Sequence, residues 1–182
     1  MILTSQSHPI RIDYVTPDRC QGRIGMTICP GKLEANAISG DWERDLALDL
    51  QKIRDWGASA IVSLMEKEEM EWYGVADLPR KTLALGMQHF HLPVIDMDIP
   101  REEFEQNWVV YGAELRDLLL SDKSIVIHCL GGLGRTGTIT ARLLIELGMD
   151  ADTAISRVRT ARPGAIQTVQ QEVYVRRCTP PE

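Results

Sequence analysis

The sequence predicts an α/β fold: one central, mostly parallel, twisted sheet with helices on both faces, three layers in all. Three observations point there. Apolar runs of strand length alternate with amphipathic runs at helical spacing, the pattern of βα units in a sheet covered on both sides. One apolar run, Ile125-Val126-Ile127, passes through a glycine-rich stretch into a helical run from Ile139 to Leu147. The length, 182 residues, suits a single domain over residues 1–182 with a full core.

Residues 1–9 are polar, end in His8-Pro9, and are expected to be loose. Arg11 to Val15 alternates in polarity and reads as an edge strand. Arg23 to Cys29 is a second strand, closed by the turn dipeptide Pro30-Gly31. Ser39-Gly40-Asp41 offers N-cap chemistry for a long helix carrying Trp42, Leu46, Leu50 and Ile53 at helical spacing, with Gly57 at its end. Ala60 to Leu64 reads as a buried strand. Glu66 to Tyr73 and Leu78 to Leu85 read as short helices, the second stopped by Gly86, and Met87 to Val94 as a strand. Asp96 to Pro100 is a loop. Arg101 to Leu120 is a helix with Phe104, Trp108, Tyr111 and Leu115 on its apolar stripe. After the strand Ser124 to His128, three helices follow: Thr136 to Leu147, Asp152 to Thr160, and about Thr168 to Arg177. Trp42, Trp56, Trp72 and Trp108 fall on predicted helices and are expected to pack.

Charge narrows the function. A net charge of −6 argues against nucleic acid or an anionic membrane as the main partner, since both call for basic faces. No apolar run reaches the length of a membrane span, and Met1 to Ser5 lacks the features of a secretory signal. A cytoplasmic location is the expectation. Cys20, Cys29, Cys129 and Cys178 are scattered, without a Cys-x-x-Cys pair or a His at ligand spacing, so neither zinc nor a disulfide framework is expected. Cys20, Cys29 and Cys178 read as small apolar or surface residues. A neighbour of Cys129 among them can act as a resolving thiol.

The chemistry concentrates in His128-Cys129-Leu130-Gly131-Gly132-Leu133-Gly134-Arg135-Thr136. Glycines at 131, 132 and 134 let successive N–H groups turn inward, and a ring of amides feeding a helix N-terminus suits an oxyanion. Leu130 to Gly134 would hold the phosphate from their backbone. Cys129 at the floor of that ring is favoured as thiolate, and the Arg135 fork can clamp two phosphate oxygens. The Thr136 hydroxyl is placed to donate to the sulfur as it leaves. His128 reads either as a satisfied core histidine or as a loop support that lowers the Cys129 pKa. This is the equipment for phosphomonoester hydrolysis through a phosphocysteine. The leaving oxygen needs a proton, and Asp96 and Asp98 lie on a loop after a strand, on the crevice edge of an α/β sheet. Asp98 also suits an N-cap near Arg101. Arg159 and Arg162 read mainly as surface ion-pairing residues, with bracing of the loop as a second role. No cofactor or metal is called for.

His-Cys-x5-Arg-Thr between a strand and a helix resembles the signature of the protein tyrosine phosphatase superfamily. Phe90 to Pro100 is similar to the acid loop of the cyclin-dependent kinase-associated phosphatases. Lined up on Pro93 and Pro100, the resemblance gives Asp96 the place of the general acid. Gly164 to Gln171 resembles the glutamine loop of the superfamily, which implies that Gln167 orients the hydrolytic water and Gln171 assists. The loop interior carries no Lys or additional Arg, which disfavours phosphoinositides. The dual-specificity type, most similar to the kinase-associated group, is implied, with phosphotyrosine or phosphoserine/phosphothreonine of proteins as substrate and a kinase as a conceivable partner by resemblance alone. A phosphatase of small molecules and a non-catalytic phosphoprotein-binding module are the alternatives.

Overall fold

A computed structural model describes residues 2–182. In chain order the strands are β1 (Ile2–Thr4), β2 (Asp13–Val15), β3 (Ile24–Thr27), β4 (Leu33–Ala37), β5 (Gly40–Glu43), β6 (Ala58–Ser63), β7 (Gln88–His91) and β8 (Ser124–His128). The helices are α1 (Leu46–Trp56), α2 (Lys67–Trp72), α3 (Leu78–Ala84), α4 (Glu102–Leu120), α5 (Gly134–Glu146), α6 (Ala151–Ala161) and α7 (Val169–Arg177).

The main sheet runs β2-β3-β8-β6-β7, and every pairing is parallel except β2 with β3. Its central strand explains the three layers. All five residues of β8 are buried. Ile125 and Ile127 join the core that includes residues of α4 to α7, whereas Val126 joins the core that includes residues of α1 and α3. A strand apolar on both faces needs cover on both, which βα crossovers supply. The register brings the carboxyl ends together: Thr27 and Ser63 both lie opposite His128, and Ser63 lies opposite His91. Loops leaving β3, β6, β7 and β8 therefore meet at one edge, where α/β sheets bind ligands.

The N-terminal quarter departs from expectation. Residues 2–4, expected to be loose, form β1 in a second sheet of order β1-β5-β4. Ser39-Gly40-Asp41 does not cap a helix. Gly40 takes φ +115°, open to glycine at little cost, and Asp41 accepts the Asn36 N–H at 2.7 Å, so the segment turns as a hairpin. Trp42 therefore sits on β5. The helix starts four residues later at Asp45, whose carboxylate accepts the Leu48 N–H at 2.9 Å, and stops at Gly57 with φ +107°. Of the other tryptophans, Trp108 is buried, but Trp72 is 82% exposed at the end of α2 rather than packed.

The small sheet is tied to α1 by an ion pair. Arg44 Nε and Nη2 donate to the two carboxylate oxygens of Asp49 at 2.7 and 2.8 Å, and both side chains are 1% exposed. Gly31 N–H also donates to Asp49, and Arg44 Nη1 donates to the His8 carbonyl. Removing one member of a buried pair leaves an uncompensated charge. Arg44→Met is expected to lower unfolding stability by about 3–5 kcal/mol in urea titration, far beyond a surface arginine. A midpoint unchanged from the parent would contradict the buried pairing. Among the described residues no helix is long and apolar enough to cross a membrane.

Candidate active site

The loop between β8 and α5 folds as it does because its carbonyls are all occupied on its outer side. Leu130 O accepts from Cys29 N–H at 3.0 Å. Gly131 O and Gly132 O accept from Arg162 Nη2 and Nε. Leu133 O accepts from Gly137 N–H and Ile166 N–H. Across a trans peptide the carbonyl of one residue points opposite to the N–H of the next. Four carbonyls engaged outward thus turn the amides of residues 131 to 134 inward, an anion-binding nest. Cys129 lies at its base, 4% exposed, and accepts the Gly132 N–H on Sγ at 3.2 Å. Gly132 itself is obligatory: φ is +69°, and a Cβ there would lie 2.2 Å from the Thr27 carbonyl oxygen.

Arg135 is 2% exposed and held in place by its own pairs. Nη1 and Nη2 donate to the two oxygens of Glu69 at 2.8 and 3.0 Å. Nη1 also donates to the Val94 carbonyl at 2.9 Å, and Nη2 lies 3.1 Å from Asp96 Oδ1. Nε, buried, has no partner among the described residues. Nε is left to face an oxyanion, with Asp96 beside the neighbouring Nη2.

His128 is wholly buried, and burial pushes its imidazole down to about 3, so it is neutral at physiological pH. Its tautomer follows by elimination. Nδ1 is 3.1 Å from the Cys129 carbonyl, which only accepts, so Nδ1 carries the proton. Nε2 is then an acceptor, and Ser63 Oγ donates to it at 2.6 Å. Having used its single proton, Ser63 accepts from His89 Nε2–H at 2.8 Å. Burial and then His91 hold His89 at about 4, so it too is neutral. His128 supports the loop through its hydrogen bond to the Cys129 carbonyl, and as a neutral ring it brings no positive charge to the sulfur. Ser63→Ala leaves a buried ring nitrogen without its donor. It is expected to cost about 1–3 kcal/mol in urea titration, most of which Ser63→Thr restores. Equal midpoints for Ser63→Ala and the parent would contradict the relay.

The two loop carboxylates differ in their attachments. Arg101 donates to both oxygens of Asp98, at 2.7 and 3.1 Å, and this pairing, helped by the Ile99 N–H, holds Asp98 below the usual carboxylate range. Asp96 is 59% exposed, accepts its neighbour Met97 N–H, and reaches Arg135. Gln171 is buried; its Nε2 donates to the Asp98 carbonyl at 3.2 Å, and its Oε1 accepts the N–H groups of Gln167 and Thr168. It ties the acid loop to the glutamine loop. The Gln167 side chain is exposed, and its Oε1 comes within 2.5 Å of where a Cβ on Gly134 would stand, so the amide rests on the start of α5.

Thr136 is buried, and its hydroxyl has no hydrogen-bond partner, Cys129 Sγ included. Arg162 does not pair on the surface: it is 9% exposed, grips the loop and donates to Asp13 at 2.8 Å. Arg159 donates to the Ala165 and Ile166 carbonyls, bracing the glutamine loop, and pairs with Glu172. Of the three other cysteines, Cys29 adjoins the loop, fully buried, and burial pushes its thiol far up. Sequence reasoning missed Glu69, Ser63, His89 and Tyr73. Burial, then the charges of Glu34, Glu69 and Asp96, raise the Tyr73 phenol. A Glu-x-x-Glu capping box at Glu66 and Glu69 was the single local signal among these four.

Comparison with known proteins agrees with this geometry. A family model described as "Tc-R-P: Polymorphic toxin system, DSP-PTPase phosphatase" matches residues 40–149, well over half the chain. Cyclin-dependent kinase inhibitor 3 of Rattus norvegicus is 28% identical over 172 residues, covering 92% of this chain and 77% of that protein. The Homo sapiens protein of the same name is 27% identical over 178 residues, with 95% and 80% covered. A crystal structure of kinase associated phosphatase, its catalytic-site cysteine replaced by serine, superposes with TM-score 0.80 at 27% identity and 92% coverage of both chains. Tk-PTP in its active form superposes with TM-score 0.65 at 22% identity, which speaks to the fold.

Proposed function

The chain belongs to the DSP-PTPase phosphatase family, a group of protein-tyrosine and dual-specificity phosphatases, and on that premise we propose that it cleaves phosphotyrosine or phosphoserine/phosphothreonine of proteins through a phosphocysteine on Cys129. The observation that carries the reading is Arg135 Nε. A buried donor without a partner is unfavourable by about 1–3 kcal/mol in an ordinary core. Beside four inward amides and a sulfur, it is a preformed oxyanion contact.

Amides 131 to 134 and the Arg135 fork seat the phosphate oxygens. The Cys129 thiolate attacks phosphorus in line with the ester oxygen. Asp96 acts as the acid and gives that oxygen its proton. Asp98, bound through both oxygens to Arg101, is the less free of the two carboxylates. In the second half Asp96 accepts a proton from water oriented by Gln167, and Cys129 leaves as thiolate. Thr136 would assist that departure only after its side chain turns toward the sulfur. A phosphorylated kinase as substrate is suggested by the similarity to cyclin-dependent kinase inhibitor 3.

Leaving groups test the acid. Asp96→Asn is expected to lower kcat/KM by about 10²–10³-fold on phenyl phosphate but far less on p-nitrophenyl phosphate, whose phenolate leaves unaided. Asp98→Asn should treat the two substrates alike. The reverse pattern would move the acid to Asp98. A protein that turns over neither ester would favour the binding-module alternative.

A further inference from the structure

A cleft of about 550 Å³ flanks the phosphate loop, within the size range of ligand sites, roughly 300–1,000 Å³. It is continuous with the loop, because Leu133 forms part of its wall and Arg162, which grips the loop carbonyls, forms another part. Trp42, Ile28 and Ile10 make the rest largely apolar.

Two contacts hold the aromatic wall. The Trp42 indole N–H donates to Ser39 Oγ at 2.8 Å, and Lys32 Nζ lies 4.7 Å from the ring centroid. Lys32 is in turn neutralised by Glu34 at 2.7 Å. A preset indole offers apolar contact without an ordering penalty on binding. The charges are unbalanced. Arg11 and Arg162 share the single carboxylate of Asp13, while Arg44 is matched by Asp49. One positive charge is left over, on a chain whose net charge is −6. The Arg11 side chain, 77% exposed, is the member free to turn to a ligand.

We propose that this cleft is a substrate subsite for an extended phosphopeptide: it receives an aromatic or large aliphatic side chain flanking the phosphoresidue, and Arg11 meets an acidic residue beside it. The proposal rests on the phosphatase reading and adds the sequence context that this chain selects. Successive residues of an extended peptide advance by about 3.3 Å, so a residue close in sequence to one seated in the loop can reach the Leu133 wall.

The test is kcat/KM across phosphotyrosine peptides that carry Leu, Phe or Gly beside the phosphoresidue, on either side, with Glu or Lys next to it. p-Nitrophenyl phosphate, which has no flank, is the control. Replacing Leu or Phe by Gly is expected to lower kcat/KM about 10- to 100-fold. Trp42→Ala should erase that discrimination, and Arg11→Glu should invert the preference for Glu over Lys. Both variants should turn over p-nitrophenyl phosphate within twofold of the parent. Equal kcat/KM across the set, or discrimination that survives both variants, would overturn the subsite. Failure of the phosphatase reading looks different: no ester is hydrolysed at all. Peptide affinities of the same proteins then read the subsite, and equal affinities across the set overturn it.

Discussion

Cys129→Ser is expected to abolish phosphomonoester hydrolysis, with a loss of about 10⁴–10⁶-fold in kcat, while a phosphopeptide still binds within a few-fold of its affinity for the parent. The two halves of this result come from different atoms. On the proposed mechanism binding would reside in the amides of residues 131 to 134 and the Arg135 fork, none of which the substitution touches. Bond making would reside in the sulfur. A serine hydroxyl in the same place does not ionise near neutrality, and the neutral His128 gives it no base: Nδ1 carries a proton and Nε2 is occupied by Ser63. The volume change is small, so the loop braced by Arg162 should keep its shape. Retention of substantial activity in Cys129→Ser would mean that water attacks phosphorus directly.

Arg135→Lys is expected to lower kcat by about 10²–10³-fold, although the positive charge is kept. A lysine supplies a point charge. The arginine supplies a planar fork, with Nη1 and Nη2 fastened to Glu69 and Nε left without a partner, available to phosphate. A lysine ammonium cannot satisfy Glu69, the Val94 carbonyl and two phosphate oxygens together. Glu69→Gln, which weakens the fastening but keeps the fork, should fall between Arg135→Lys and the parent. A parent-like kcat in Arg135→Lys would show that charge alone suffices.

The sequence carries the site better than it carries its surroundings. The strand, loop and helix around Cys129 are one contiguous segment, and their determinants are local: a β8 apolar on both faces, glycines where the backbone reverses, and helical periodicity afterwards. The later helices are equally readable because their caps sit beside them, as Thr168 does for α7. The small sheet was not readable. Leu33 to Glu43 is half exposed and lacks clean alternation, and two aspartates, Asp41 and Asp45, both look like caps. Their bonds tell them apart: Asp41 accepts the Asn36 N–H in the hairpin, whereas Asp45 accepts the Leu48 N–H at the start of α1. Glu69, Ser63 and His89 were missed for a different reason. Each reaches the site from another strand or helix: Glu69 lies 66 positions from Arg135, Ser63 65 from His128 and His89 26 from Ser63, and no spacing rule connects them. Arg162 shows the same limit: a lone arginine before Pro163 has no local mark of a brace.

The central claim is that the sulfur of Cys129 takes the phosphoryl group. Acid quench of the parent enzyme during turnover, followed by mass spectrometry of the peptide that contains Cys129, reads this directly. The account predicts phosphate on the Cys129 thiol, more of it when Asp96→Asn or Gln167→Ala slows the hydrolytic half, and none in Cys129→Ser. Full turnover with an unmodified Cys129 peptide throughout, in the parent and in both slowed variants, would contradict it.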